Sequence, residues 1–139
     1  MTARNDAIIG LDWAGAATPG GDSDPLLIRA EDQLAAYFAG TPDDFDLPLN
    51  PAGTAHDQAV WREMRAIPRG ATRTYGEIAR SIGSAPRAVG TACGRNPIPV
   101  IIPCHRILAA GGGIGGYSGA GGTTTKRRLL ALEGALLAL

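Results

Sequence analysis

The segment Ile98-Pro99-Val100-Ile101-Ile102-Pro103 constrains the fold more than any other part of the chain. Its two prolines cannot continue a helix, and each keeps the residue before it out of helical geometry. The other four side chains are β-branched, which favours extended backbone. The sequence therefore predicts an extended run that ends at Cys104-His105-Arg106-Ile107. Helices must lie on either side of this run. They must also be short, because 20 glycines and 10 prolines punctuate 139 residues.

Residues 1–25 read as loop or arm, with Ile8 and Ile9 the only strand-like pair. Pro25 opens an apolar helix pattern through Leu26, Leu27, Ala30, Leu34, Ala35 and Phe38, and Gly40 ends it. A Pro- and Asp-rich connector follows over 41–54. Thr54 caps a second helix that carries Val60, Trp61, Met64 and Ile67. Thr74 with Glu77 three residues later is a capping box, and Gly83 ends the short helix it starts. Ser84 is placed to cap a further helix, with Pro86 in its first turn and Arg87 to Gly94 along it. Two short helices joined through a glycine form a helix-turn-helix pattern. Glycines at 111, 112, 113, 115 and 116 make a loop of high conformational freedom, and a last helix starts near Thr124.

Bulk features remove several function classes. Two cysteines cannot build a disulfide scaffold, and two histidines offer no zinc cluster. No apolar run approaches the roughly 20 residues that span a bilayer. No apolar stretch of signal-peptide length follows Met1 to Asp6. The expectation is a cytoplasmic protein with no metal, no cofactor and no membrane partner. The glycine loop is not a phosphate loop, since no Gly-Lys-Ser/Thr follows it. The net charge is zero but unevenly placed: residues 1–61 hold two Arg against ten acids, and residues 62–106 hold eight Arg against Glu63 and Glu77. An arginine-rich middle is what a phosphate-facing surface requires, although a solvated surface has the same composition.

Cys104 adjoins a histidine. The thiolate is the reactive form of cysteine, and most of a free thiol is protonated near neutral pH. Histidine is the usual group to take that proton, and a carboxylate can orient the imidazole. Glu133 is the candidate carboxylate, being the only acid after Glu77. Adjacent strand side chains point to opposite faces, so the pair needs a turn after Pro103 or a bridging water. A lone Cys-His pair is otherwise read as a small buried hydrophobe beside a hydrogen-bonded histidine. That reading also suits Cys93.

The run from Asn96 through Pro103-Cys104-His105-Arg106-Ile107 resembles the active-site signature of the O6-alkylguanine-DNA alkyltransferases, or methylated-DNA–protein-cysteine methyltransferases. The likeness continues through Tyr75-Gly76-Glu77-Ile78-Ala79 and Arg87-Ala88-Val89-Gly90, then Gly115 to Gly119 and Lys126 to Gly134, covering roughly residues 47–135. The resemblance implies an α/β fold, mostly helical, with a winged-helix or helix-turn-helix-like DNA-binding and catalytic domain over 46–139. It leaves a shortened N-terminal segment over 1–45, where the family has a β-sheet domain of ribonuclease-H-like shape.

The implied activity is direct, irreversible, single-turnover transfer of an alkyl group from O6-alkylguanine in double-stranded DNA to Cys104. His105 would relay the thiol proton, Glu133 would orient His105, and Asn96 would tie the helix-turn-helix to the active-site run. Tyr75 would help rotate the target nucleotide and contact its base. Pro99, Ile107, Gly115, Tyr117 and Ser118 would line the base pocket. Arg87 would enter the duplex in place of the flipped nucleotide, and Ala88, Gly90, Thr74, Arg95 and Arg106 would complete the DNA-facing set. A flipped base is a physical necessity, since guanine O6 is hidden in the stack. The small side chains of the 87–94 helix suit close minor-groove approach by a monomer and are poor material for major-groove readout. A damage-recognition module without chemistry is the rival expectation. In the alkyltransferase-like proteins of that kind the acceptor cysteine is replaced, whereas Cys104 is present here.

Overall fold

The computed structural model describes residues 1–11, 24–41, 44–117, 119 and 121–135. It is mostly helical, with two small sheets. Strand β1 (Thr2–Arg4) pairs antiparallel with β2 (Ala7–Gly10), so Ile8 and Ile9 are in a strand as expected. The partner strand at 2–4 was not expected. Its signal is the Asn5-Asp6 pair, whose φ values of 52 and 61° are the left-handed geometry of a tight hairpin turn. The hairpin is stitched to the rest of the molecule by backbone bonds: Ile8 N donates to Pro48 O at 2.8 Å, and Leu11 N donates to Pro97 O at 2.8 Å.

Helix α1 (Pro25–Phe38) is capped by Asp24, whose carboxylate accepts from Leu26 N. It buries Leu27, Ala30 and Tyr37. The expected apolar face was one position out: Tyr37 continues the 27–30–34 stripe, and Phe38, about 100° further round, is 51% exposed. Helix α2 (Ala55–Arg65) begins with a capping box between Thr54 and Asp57 and buries Val60, Trp61 and Met64. Trp61 Nε1 donates to Ala92 O at 3.0 Å, locking α2 against the helix-turn-helix.

Strand β3 (Arg73–Thr74) leads into α3 (Tyr75–Ile82), which is capped by Thr74 and Glu77 as the sequence predicts. Gly83 ends α3 with φ 68°, a left-handed turn that favours glycine. Helix α4 (Pro86–Gly94) follows. Its N-cap is Ala85 and has no side-chain bond, so Ser84 is not the cap. The Ser84 hydroxyl instead pairs with His56 Nε2 at 2.8 Å, because α2 offers it a tertiary partner.

The run after α4 departs most from expectation. It is a tight turn and not an extended strand. Ile102 N donates to Ile98 O, and Val100 has φ 72°. A β-branched residue in that region costs of order 1–3 kcal/mol and persists only where its surroundings fix it. Asn96 supplies part of that constraint: its amide donates to Ile102 O at 2.8 Å, and its carbonyl accepts from Ile98 N at 2.9 Å. A 3₁₀ turn (Cys104–Arg106) then precedes β4 (Ile107–Leu108), which pairs parallel with β3. Helix α5 (Gly122–Leu132) closes the described chain. Ile8, Leu27, Leu47, Trp61, Ile78, Ile102 and Ile107 share one core, which places both sides of the 45/46 boundary in the same apolar cluster. Among the described residues, no helix is long and apolar enough to cross a membrane.

Candidate active site

The 3₁₀ turn supplies what the Cys-His pair needs. Three residues per turn rotate successive side chains by roughly 120°, so Cys104, His105 and Arg106 leave the backbone in different directions. Cys104 is 6% exposed and lines two cavities. The first, of about 390 Å³, lies between the β1–β2 hairpin and the Asn96–Pro99 run, with Tyr117 at its side. The second, of about 300 Å³, is walled by Tyr75, Gly90, Cys93, Gly94, Gly116 and Tyr117.

His105 and Arg106 point the other way, onto Glu133 at the end of α5. His105 Nε2 lies 2.7 Å from Glu133 Oε2. Arg106 donates through Nε to Oε1 at 2.9 Å and through Nη2 to Oε2 at 3.0 Å. Tyr37 donates its hydroxyl to Oε2 at 2.6 Å. A carboxylate only accepts, so Nε2 carries the imidazole proton, and the Nδ1 of neutral His105 is an acceptor. That Nδ1 is buried and has no hydrogen-bond partner among the described residues.

The electrostatics divide along the same line. Burial opposes the charge on Glu133, yet the bonds from His105, Arg106 and Tyr37 hold its pKa at about 2. Burial lowers the pKa of His105, and Arg106 and Lys126 lower it further against the pull of Glu133, so the imidazole is held neutral. Burial pushes the Cys104 thiol up, and the Asn96 hydrogen bond and the Lys126 charge only partly offset this. The resting pair is therefore a thiol beside a neutral imidazole. Reactive thiolate requires that the proton move. Burial, then the two cysteines, push Tyr75 up to about 12, so it remains a proton donor at neutral pH.

The predicted residues are placed unevenly. Cys104, Asn96, Pro99 and Tyr117 meet at the first cavity, and Cys104, Tyr75, Gly90 and Tyr117 at the second. Gly115, with φ 68°, packs so closely that a Cβ there would sit 3.3 Å from the Tyr75 ring. Arg87 is exposed and lies one turn before Gly90, which lines the second cavity, on the same face of α4. Ala88 is half-buried beside it, and Thr74 is occupied in capping α3. Arg95 is exposed and reaches Asp57 at 3.4 Å. Two placements correct the expectation. Ile107 is fully buried in the core and lines neither cavity, because β4 pairing turns it inward. Arg106 is 7% exposed, and Glu133 and Ile67 O occupy its guanidinium, so it does not face DNA. Ser118 lies outside the described residues.

Sequence reasoning missed three residues of this site. Lys126, the chain's one lysine, is fully buried and donates to Ile107 O at 2.6 Å and Gly116 O at 3.1 Å. Its being the single lysine beside twelve arginines was the available signal. Tyr37 had no signal, since 96 residues separate it from Glu133. Cys93 is buried as expected, but it lines the second cavity with Cys104.

Fold and site together define a helix-turn-helix DNA-binding protein with a buried thiol backed by a His–Glu pair. The family described as 6-O-methylguanine DNA methyltransferase, DNA binding domain, matches residues 55–135. A methylated-DNA–protein-cysteine methyltransferase of Methanosarcina acetivorans is 49% identical over 115 residues, covering 81% of this chain and 72% of that protein. Its counterpart in Mycobacterium bovis is 53% identical over 106 residues, covering 75% of this chain and 63% of that protein. The crystal structure of Mycobacterium tuberculosis O6-methylguanine methyltransferase matches with a TM-score of 0.80 at 41% identity, covering 98% of this chain and 86% of that one. The same organism's OGT in complex with DNA matches at 0.74 and 50% identity, covering 78% and 68%. The chain belongs to the methylated-DNA–protein-cysteine methyltransferase family.

Proposed function

We propose that this chain repairs O6-alkylguanine in duplex DNA by moving the alkyl group irreversibly onto Cys104. The observation that carries the reading is a buried thiol at the junction of two cavities, with a carboxylate-oriented neutral imidazole next to it in the turn. Arg87 and the small face of α4, with Ala88 and Gly90, enter the minor groove, and the flipped guanine occupies the cavity between Tyr75 and Tyr117. Thr74 at the start of α3 and Arg95 at the end of α4 contact the backbone of the DNA. Residues 46–139 carry the DNA contacts and the chemistry, described residues of the 1–45 segment such as Ile8 and Leu27 pack against them, and one monomer suffices.

The reaction is an in-line displacement. The Cys104 proton passes to His105 Nδ1, directly or through water. The sulfur then bonds to the alkyl carbon as the carbon–O6 bond breaks. Guanine leaves as an anion and takes a proton from Tyr75, which the His105 proton restores. Net, the thiol proton ends on guanine and a thioether remains on Cys104. Nothing hydrolyses the thioether, so each molecule acts once.

Mixing the protein with a duplex carrying one O6-methylguanine and measuring peptide mass tests this. One methyl on the Cys104 peptide, saturating at one per molecule and lost in Cys104→Ala while DNA binding is retained, is the expected outcome. Selective lesion binding with no mass shift would replace transfer by damage recognition.

A further inference from the structure

We propose that Tyr37 is a positioning residue of the Cys104 site: its hydroxyl, delivered by α1, holds the Glu133 carboxylate and sets how firmly His105 keeps a proton. This inference rests on the alkyl-transfer reading above. The two oxygens of Glu133 are loaded unequally. Oε1 takes one bond, from Arg106 Nε. Oε2 takes three, from Tyr37 at 2.6 Å, His105 at 2.7 Å and Arg106 Nη2 at 3.0 Å. Tyr37 and His105 therefore share one acceptor oxygen. Each donor it accepts spreads its charge and weakens its pull on the others, so losing the phenol strengthens the Glu133–imidazole bond and favours imidazolium.

The phenol is held as a donor. Burial, the bond to Glu133 and the charge of Glu133 all push its pKa above the ordinary 10. Its ring is fixed edge-on to Phe38, tilted against Phe45 at 5.5 Å, and beneath the Arg69 guanidinium at 4.8 Å. Arg69 also donates to Leu132 O at 3.3 Å, one residue before Glu133. The Tyr37–Arg69 pair thus grips the end of α5 at two points. The groups that act on the His105–Glu133 pair are Tyr37 from α1, Arg106 and Cys104 from the 3₁₀ turn, and Lys126 from α5, with Arg69 behind Tyr37. Tyr37→Phe leaves every one of them except the hydroxyl.

The test is the pH dependence of single-turnover methyl transfer, together with an NMR titration of the His105 imidazole. Tyr37→Phe should move the rising limb of the rate profile about one pH unit upward, slowing transfer about tenfold on the acid side of the limb and leaving the alkaline plateau unchanged. The His105 titration should move the same way. Phe45→Leu, which disturbs the ring but not the hydroxyl, should lower Tm and leave the limb in place. A fluorinated tyrosine at position 37, a stronger donor of similar size, should move the limb downward. In a Glu133→Gln background, Tyr37→Phe should add no further shift. An unmoved limb in both Tyr37 variants, or an equal shift from Phe45→Leu, would overturn the proposal. If the unaltered protein transfers no methyl, the functional reading fails, and the His105 titration alone still decides the role of Tyr37.

Discussion

The two sides of the Cys104–Arg106 turn are built on opposite principles. On the relay side, four donor atoms converge on Glu133, and both its oxygens are occupied. On the thiol side, Cys104 faces cavity walls of glycine, proline and aromatic rings, with Cys93 beside it. The first arrangement stabilises charge and fixes geometry. The second raises the thiol pKa and keeps room for a base. The contrast teaches that reactivity here does not come from a thiolate stored at rest. On the proposed alkyl-transfer reading, it comes from a protonated thiol beside a base whose orientation is held rigidly from behind.

The strongest way to break that contrast is to damage the relay side. Glu133→Ala strips the partner from the buried Arg106 guanidinium, and removing one member of a buried ion pair costs about 3–5 kcal/mol. Thermal unfolding should show the largest Tm loss of any single change here. Because the pKa of Glu133 is held at about 2 against an ordinary 4.5, its contribution to stability is complete above pH 4.5 and disappears as pH falls toward 2. Acid unfolding followed by circular dichroism should place the transition of the unaltered protein in that window. A midpoint above pH 5 would contradict the ionised, saturated carboxylate.

Lys126 joins the two sides, so its removal should be felt on both. Lys126→Met keeps the stem but leaves the carbonyls of Ile107 and Gly116 without their donor. Leaving the buried Ile107 acceptor unsatisfied costs about 1–3 kcal/mol. Because the Lys126 charge also favours the Cys104 thiolate, methyl transfer should slow together with the drop in Tm. Loss of stability with an unchanged transfer rate would confine Lys126 to a structural role.

The smallest effect belongs to the thiol side. Cys93→Ala removes one sulfur from an apolar wall, at a cost of about 1 kcal/mol. Tm should fall by a few degrees, and transfer to Cys104 should persist. Peptide mapping that found transfer abolished would make Cys93 part of the chemistry and end the contrast between the two sides.

Much of this was legible in the chain. The capping box at Thr74 and Glu77, the stop at Gly83 and the proline at the start of α4 are local signals, and each local rule was obeyed. Cys104, His105, Asn96 and Glu133 were likewise readable, since their types and order carry the chemistry, and the structure brings them together. What failed did so where a side-chain partner, distant or near in sequence, overrode a local preference. Ser84 exchanged a cap for His56, and Arg106 exchanged solvent for Glu133. The run 98–103 exchanged an extended path for a turn held by Asn96.

The sequence by itself determined the helix-turn-helix, through short-range capping, and the resemblance carried by its motifs pointed to Cys104 as the candidate nucleophile and to Glu133 as the acid that backs His105. Only the tertiary structure decided that Tyr37, 96 residues away, completes the carboxylate, that the one lysine is buried between two carbonyls, and that Cys104 stands at the meeting of two cavities. Those contacts exist only once the core has closed, since buried polar groups must find partners wherever the packing places them.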